Sequence, residues 1–201
     1  MQLIGMLDSP YVRRVAITLH QLNLPFEHRP ISVFRQFDEF QAINPVVKAP
    51  TLVCDDGEVL MDSSLIIDYL ETMAPPHASL MPTSPLDRRN ALQTIGLALA
   101  ACEKTVQIVY ERQLRPAEKQ HEPWIDRVSG QLRRAYAVLE AGMDSAPMAG
   151  PLMQDSLTLG VAWAFTQMML PQMLAPGEYP RMQSLSEQLE QHPAFMAFPQ
   201  N

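Results

Sequence analysis

The chain has 201 residues, 47% apolar and 18% charged, the balance of one large or two small folded domains and not of a disordered chain. Its net charge of −7 argues against a general nucleic-acid binder, which needs clustered Lys and Arg to neutralise phosphates. The pairs Arg13-Arg14, Arg88-Arg89 and Arg133-Arg134 are read as solvated faces or local ion pairs. Cys54 and Cys102 lie far apart and form no Cys-x-x-Cys pair, so neither a disulfide framework nor a zinc site is expected. Two free thiols fit a reducing compartment. The five histidines lack ligand spacing, and no metal is assigned. No early positive charge precedes an apolar core, and no apolar run reaches the ~18 residues of a membrane span. A cytoplasmic protein with no membrane or nucleic-acid partner is the expectation.

Taken in order, Leu3 to Met6 predicts a strand. Pro10 to Leu22 predicts a helix with Val12, Val15, Ala16, Leu19 and Leu22 on one face. Phe26 to Val33 fits a second strand, and 35–43 a short irregular helical piece. Thr51 to Cys54 and Glu58 to Met61 flank Asp55-Asp56-Gly57, a strong hairpin signal. Asp62 or Ser63 then starts a helix, with Leu65, Ile66, Tyr69, Leu70 and Met73 expected inward. Prolines at 75, 76, 82 and 85 mark a linker. The division expected is 1–76, a linker at 77–86, and a helical part at 87–201. In that part Leu92, Ile95, Leu99, Cys102, Val106 and Val109 recur at helical spacing, as do Ile125, Val128, Leu132, Ala135 and Leu139. Residues 156–170 are apolar nearly all round, the pattern of a central buried helix. Met182, Leu185 and Leu189 mark a last helix before His192-Pro193. The thirteen methionines are core filling or an adaptable apolar ligand surface.

Three clusters could carry chemistry. Ser9-Pro10 opens the first helix, where a hydroxyl caps and Pro suits the first position. A helix start also presents unpaired N–H groups and a positive dipole end, which favour an anion. Lys48-Ala49-Pro50 precedes a strand; a cis proline there would turn neighbouring backbone groups toward a peptide-like ligand, whereas a trans proline would leave an ordinary loop. Asp62-Ser63 is an ordinary cap, or a second helix start that receives a carboxylate while Asp62 holds an ammonium.

The order and spacing of these clusters resemble the glutathione transferase superfamily over essentially the whole chain. Ser9-Pro10-Tyr11-Val12-Arg13 resembles its serine-type classes, including plant tau and many bacterial members. Asn44-Pro45-Val46-Val47-Lys48-Ala49-Pro50-Thr51-Leu52 is similar to its Asn-Pro-x-x-Lys-Val-Pro-x-Leu segment, and Asp62-Ser63-x-x-Ile66-x-x-Tyr69-Leu70 to its Glu/Asp-Ser-x-x-Ile-x-x-Tyr-Leu segment. The resemblance implies an α/β thioredoxin-like N-terminal domain followed by an all-helical C-terminal domain, and a homodimer. It implies that Ser9 hydrogen-bonds the glutathione sulfur and that Ala49 meets the cysteinyl backbone. Pro50 would be cis, Lys48 would lie near the glycine carboxylate, and Asp62 and Ser63 would hold the γ-glutamyl end. Tyr11, Val106, Tyr110 and Gln113 would line a pocket for a small apolar electrophile, although Tyr110 reads equally as an interface tyrosine.

Three departures are visible. Ala49 replaces the usual Val, and Val47 stands where Gly is common; both are expected to alter packing more than backbone. In the buried helix the acidic residue expected three positions after a Ser156 cap is Leu159, so Asp155 is the alternative cap. No cysteine occupies the Ser9 position, which argues against chemistry through a mixed disulfide with the protein. The function expected is conjugation of glutathione, a co-substrate with no tightly bound cofactor. A glutathione-dependent disulfide or peroxide reductase and a non-catalytic binding or scaffold protein are the alternatives.

Overall fold

The computed structural model describes residues 1–143 and 150–200. The elements run β1 (Gln2–Ile4), α1 (Pro10–Gln21), β2 (Glu27–Arg29), α2 (Phe37–Ile43), β3 (Thr51–Val53), β4 (Val59–Met61) and α3 (Ser63–Met73), then α4 (Pro85–Gln113), α5 (Glu122–Gly142), α6 (Gln154–Met169), α7 (Pro180–Glu190) and α8 (Pro193–Ala197). Two compact units result: Met1–Leu80 together with the residues from His192 onward, and Met81–Gln191. This division differs from the one read in the sequence in placing the final segment with the first unit, not with the helices it follows.

In the first unit the sheet order is β2-β1-β3-β4, with β1 parallel to β2 and the other neighbours antiparallel. Leu3, Ile4 and Leu52 are fully buried. β2 is shorter than the run Phe26–Val33 suggests, because Pro30 has no N–H to continue the ladder. Beyond it Ile31 joins Ile4 and Phe40 in a buried cluster, with Val47 and Ala49 packed at its edge. The hairpin closes as the Asp-Gly signal predicts. Cys54 N–H donates to the Glu58 carbonyl (2.8 Å), and Gly57 takes a φ of 91°.

Two helices of this unit differ from their expected faces. α3 buries Ser63, Ile66, Ile67 and Leu70, while Leu65 is 66% exposed and Tyr69 and Met73 are also exposed. An apolar stripe therefore faces outward. In α1 the apolar residues are buried as expected, but Arg13 and Arg14 are 0% and 2% exposed, not solvated. Arg13 Nε donates to the Phe198 carbonyl (2.9 Å), and its guanidinium lies 5.1 Å from the centre of the Phe195 ring. Phe198 in turn meets the rings of His20 and Phe26, each at 5.7 Å. These contacts explain why the final segment belongs to the first unit: it supplies the cover that a cationic, planar side chain needs when buried.

In the second unit α4 packs against α5 and α6, and α7 against α6 and α5. α6 is buried nearly all round, as its composition predicts. Its start differs from the expectation: Met153 is the cap, and Ser156 lies in the first turn, where its hydroxyl donates to the Met153 carbonyl (3.0 Å). On α4 the buried line runs through Ala91, Ile95, Ala98 and Cys102, leaving Leu92 exposed one position round the helix. Gly160 permits close approach of α7, since a Cβ there would lie 2.4 Å from a Leu189 methyl. The Tyr136 hydroxyl meets the Ala162 carbonyl (2.9 Å) and the Thr166 hydroxyl (2.8 Å), which also meets Thr105 (2.9 Å). Glu140 of α5 accepts from the backbone N–H groups of Arg181 (3.0 Å) and Met182 (2.9 Å), capping α7 from a neighbouring helix.

Candidate functional site

Strand register brings the three sequence clusters together. Ile4 pairs with Thr51, and Thr51 pairs with Met61, so these three residues form one row across the sheet. The chain leaves β1 at this row toward Ser9, enters β3 from Pro50, and leaves β4 toward Asp62. All three clusters therefore emerge at the same end of the sheet, with the N-termini of α1 and α3 beside them. Each helix start adds unpaired N–H groups and a positive dipole end.

Ser9 caps α1, its Oγ accepting from Val12 N–H at 3.5 Å. Because the hydroxyl accepts there, its own hydrogen remains to donate outward. Gly5 makes the approach to this helix possible. It has a φ of 137°, and a Cβ on it would lie 2.6 Å from a Val12 methyl and 3.1 Å from the Ala49 Cβ. The loop bearing Ala49 thus packs closely against the strand end that leads to Ser9.

The Ala49–Pro50 bond is cis. Pro50 is buried, Ala49 half-buried and Lys48 exposed. Two residues to which the sequence reading gave no role hold this loop. Buried Asn44 donates through Nδ2 to Thr51 Oγ1 (2.9 Å), and the Thr51 hydroxyl donates to the Lys48 carbonyl (2.8 Å). Asn44 Oδ1 also accepts from Val46 N–H (3.0 Å). Val47, expected to alter packing more than backbone, has a φ of 52°. That left-handed conformation is costly for a β-branched residue, so the departure from Gly acts on the backbone as well.

At the third cluster Asp62 is the cap of α3, with Oδ1 accepting from Ser64 N–H (2.9 Å) and a φ of 72°. Its carboxylate is exposed, while Ser63 is buried. Arg14 Nη1 donates to the Ser63 hydroxyl (3.0 Å) and to the Ser64 hydroxyl (3.1 Å). Only the burial of Arg14 reveals this link; an arginine pair in an amphipathic pattern looks solvated.

Tyr11 is half-buried on α1, in the first unit. Val106, Tyr110 and Gln113 share one face of α4 in the second, at spacings of four and three. Neither cysteine lies at a helix start. Cys54 follows β3, where burial and then Asp56 push its thiol pKa up, against a lowering hydrogen bond from Tyr69. Such a thiol stays protonated at neutral pH and is a poor nucleophile. Cys102 is buried on α4. Among the described residues no helix is long and apolar enough to cross a membrane, and no group of three or more His, Cys, Asp or Glu could hold a metal ion.

Comparison with known proteins identifies the family. Residues 3–78 match the glutathione S-transferase N-terminal domain. The chain is also 30% identical over 159 residues to the uncharacterized GST-like protein YibF of Escherichia coli K12, covering 79% of this chain and 76% of that protein. The chain belongs to the glutathione transferase family. Solved structures of family members agree in fold. One from Methylobacterium radiotolerans, in complex with glutathione sulfonate, has a TM-score of 0.90 at 25% identity and covers 98% of this chain and 93% of its own. Another, from Pseudomonas fluorescens Pf-5 with bound glutathione, has a TM-score of 0.88 at 27% identity and covers 100% and 98%. The fold of this glutathione transferase family member is thus a thioredoxin-like α/β N-terminal domain with a helical remainder.

Proposed function

We propose that this family member binds glutathione at the sheet end where Ser9, Ala49-Pro50 and Asp62-Ser63 emerge, and transfers it to a small apolar electrophile. The observation that carries the reading is the Ile4–Thr51–Met61 row, with the cis Ala49–Pro50 bond at its centre. The complexes of the two solved relatives with glutathione and glutathione sulfonate support the ligand. In this reading the Ala49 backbone pairs with the cysteinyl residue of glutathione. Lys48 lies near the glycine carboxylate, and Asp62 and Ser63 take the γ-glutamyl end. Tyr11, Val106, Tyr110 and Gln113 are proposed to receive the electrophile.

The chemical step follows from thiol acidity. A free cysteine-type thiol has a pKa near 8.5 and is mostly protonated at pH 7. Donation from Ser9 Oγ–H and the positive end of α1 favour the thiolate. Lowering the pKa by about two units takes about 2.7 kcal/mol, much of which one charge-assisted hydrogen bond of roughly 1.5–3 kcal/mol supplies. The proton passes to solvent, the sulfur forms a bond to the electrophilic carbon, and the leaving group departs with its electron pair. Glutathione is the co-substrate, and no tightly bound cofactor is required. Self-association through the outward stripe of α3, Leu65, Tyr69 and Met73, is proposed for the homodimer, in keeping with exposed apolar patches at interfaces. Free Cys54 and Cys102 suit a cytoplasmic location.

Thermal unfolding with millimolar glutathione, followed by turnover of a chlorodinitrobenzene, tests the reading. Glutathione should raise the melting temperature by mass action. Ser9→Ala should raise the pKa of the bound thiol and cut conjugation by about tenfold to hundredfold, the worth of one charge-assisted bond. Unchanged turnover would remove Ser9 from the mechanism. Turnover of a model disulfide in place of the aryl halide would make the protein a reductase; binding with turnover of neither would make it a binding protein.

A further inference from the structure

We propose that Arg14 is a positioning residue that fixes Ser63 as a hydrogen-bond donor toward the α-carboxylate of the γ-glutamyl group, an inference that rests on the glutathione reading above. A guanidinium donates and never accepts. With Arg14 Nη1 3.0 Å from Ser63 Oγ, the hydroxyl must therefore accept from Arg14, and its own hydrogen points elsewhere. The same nitrogen donates to Ser64 Oγ at 3.1 Å, so one nitrogen of a buried guanidinium braces two consecutive hydroxyls in the first turn of α3.

Donors at this turn are thereby sorted. Ser64 N–H is used by Asp62 Oδ1 (2.9 Å). Ser63 is the first helical residue, whose N–H has no acceptor within the helix. Its N–H and its outward hydroxyl hydrogen are two donors on one residue, which fits the paired oxygens of a carboxylate. Without Arg14 the hydroxyl could rotate and spend its hydrogen on a protein acceptor. Arg14 also lies on the helix that begins at Ser9. Because α1 is rigid, the residue proposed for the sulfur and the support for the γ-glutamyl end keep a fixed spacing. A lysine at 14 would keep a charged donor but hold it on a flexible four-carbon stem in place of the longer, planar guanidinium.

Calorimetric titration compares glutathione with butanoyl-cysteinyl-glycine, which lacks both the α-amino and the α-carboxylate group, and with decarboxylated glutathione (γ-aminobutyryl-cysteinyl-glycine), which retains the amine. The intact protein should prefer glutathione over the decarboxylated peptide by about tenfold to hundredfold. Arg14→Met should erase most of that preference while leaving affinity for the decarboxylated peptide within about twofold. In a Ser63→Ala background the same change should add less than about twofold, because both substitutions remove one interaction. Arg14→Lys should recover part of the preference, and it carries the comparison if Arg14→Met does not fold. Equal loss of affinity for all three peptides, or multiplicative losses with Ser63→Ala, would overturn the proposal and leave Arg14 a packing residue. Failure of the intact protein to bind glutathione would overturn the glutathione reading and this inference together. Normal binding by the intact protein with unaltered preference in the Arg14 variants would overturn this inference alone.

Discussion

Buried polar side chains serve different purposes in the two units. In the first they fasten irregular backbone: Asn44 and Thr51 hold the loop before β3, Arg14 braces the start of α3, and Arg13 ties down the final segment. In the second they sit between regular helices, as in the Tyr136–Thr166–Thr105 chain. The backbone specials follow the same division. Among the described residues, the cis bond and the non-glycine residues with positive φ, Asn23, Val47 and Asp62, all belong to the first unit. Helices satisfy their own N–H and C=O groups, so a helical unit needs side chains mainly to fill space and to close helix ends. A sheet of three-residue strands leaves most of its backbone in connections, which side chains must hold. Those connections bear Ser9, Lys48, Ala49, Pro50, Asp62 and Ser63, and the left-handed Val47 and Asp62 lie among them.

Substitutions can break this contrast or sharpen it. The largest effect is expected from Phe195→Ala, which removes a fully buried ring and the face over which Arg13 lies. It should destabilise by about 3–5 kcal/mol in urea unfolding. Hydrogen exchange should quicken in α1 before it does in α6, and the reverse order would place the final segment with the second unit. Tyr136→Phe keeps the packing of the helical core but leaves the Ala162 carbonyl and Thr166 hydroxyl short of a partner. A loss of about 1–3 kcal/mol is expected from that unmade bonding; no loss would mean that the hydroxyl chain contributes nothing beyond shape. The smallest effect is expected at Val47→Gly. Relief of a left-handed valine, about 1–2 kcal/mol, is set against the greater unfolded freedom of glycine, about 0.5–1 kcal/mol, and some lost packing. Stability should move by less than about 1 kcal/mol in chemical denaturation, whereas a loss above about 2 kcal/mol would show that side-chain packing dominates at this position.

What the sequence revealed divides along a physical line. Features set within a few residues were readable: the Ser9 cap, the Asp-Gly hairpin, the Asp62 cap and the apolar circumference of α6. Features that depend on distant partners were not. Arg14 meets residues 49 and 50 positions away, and Arg13 meets Phe198, 185 positions away, so local pattern assigned both to solvated faces or local ion pairs. Leu65, Tyr69 and Met73 share a helical stripe with one another but not with the buried stripe of Ile66 and Leu70, and apolarity alone did not distinguish the faces. The left-handed Val47 was hidden for another reason: a β-branched residue gives no signal for a conformation it disfavours. At the candidate site the named motifs were visible in order, while the buried supports Asn44, Thr51 and Arg14 emerged only from the hydrogen bonds.

The return of Phe195 and Phe198 to α1 sets an order of events on the ribosome. Domains generally fold as units while synthesis proceeds from the N-terminus. Here a nascent chain that has passed Leu80 holds the whole sheet yet lacks the ring and the carbonyl that cover Arg13. The helical stretch Met81–Gln191 emerges without interruption and has all its own contacts before then. The half of the protein that is translated first is therefore the half that is finished last.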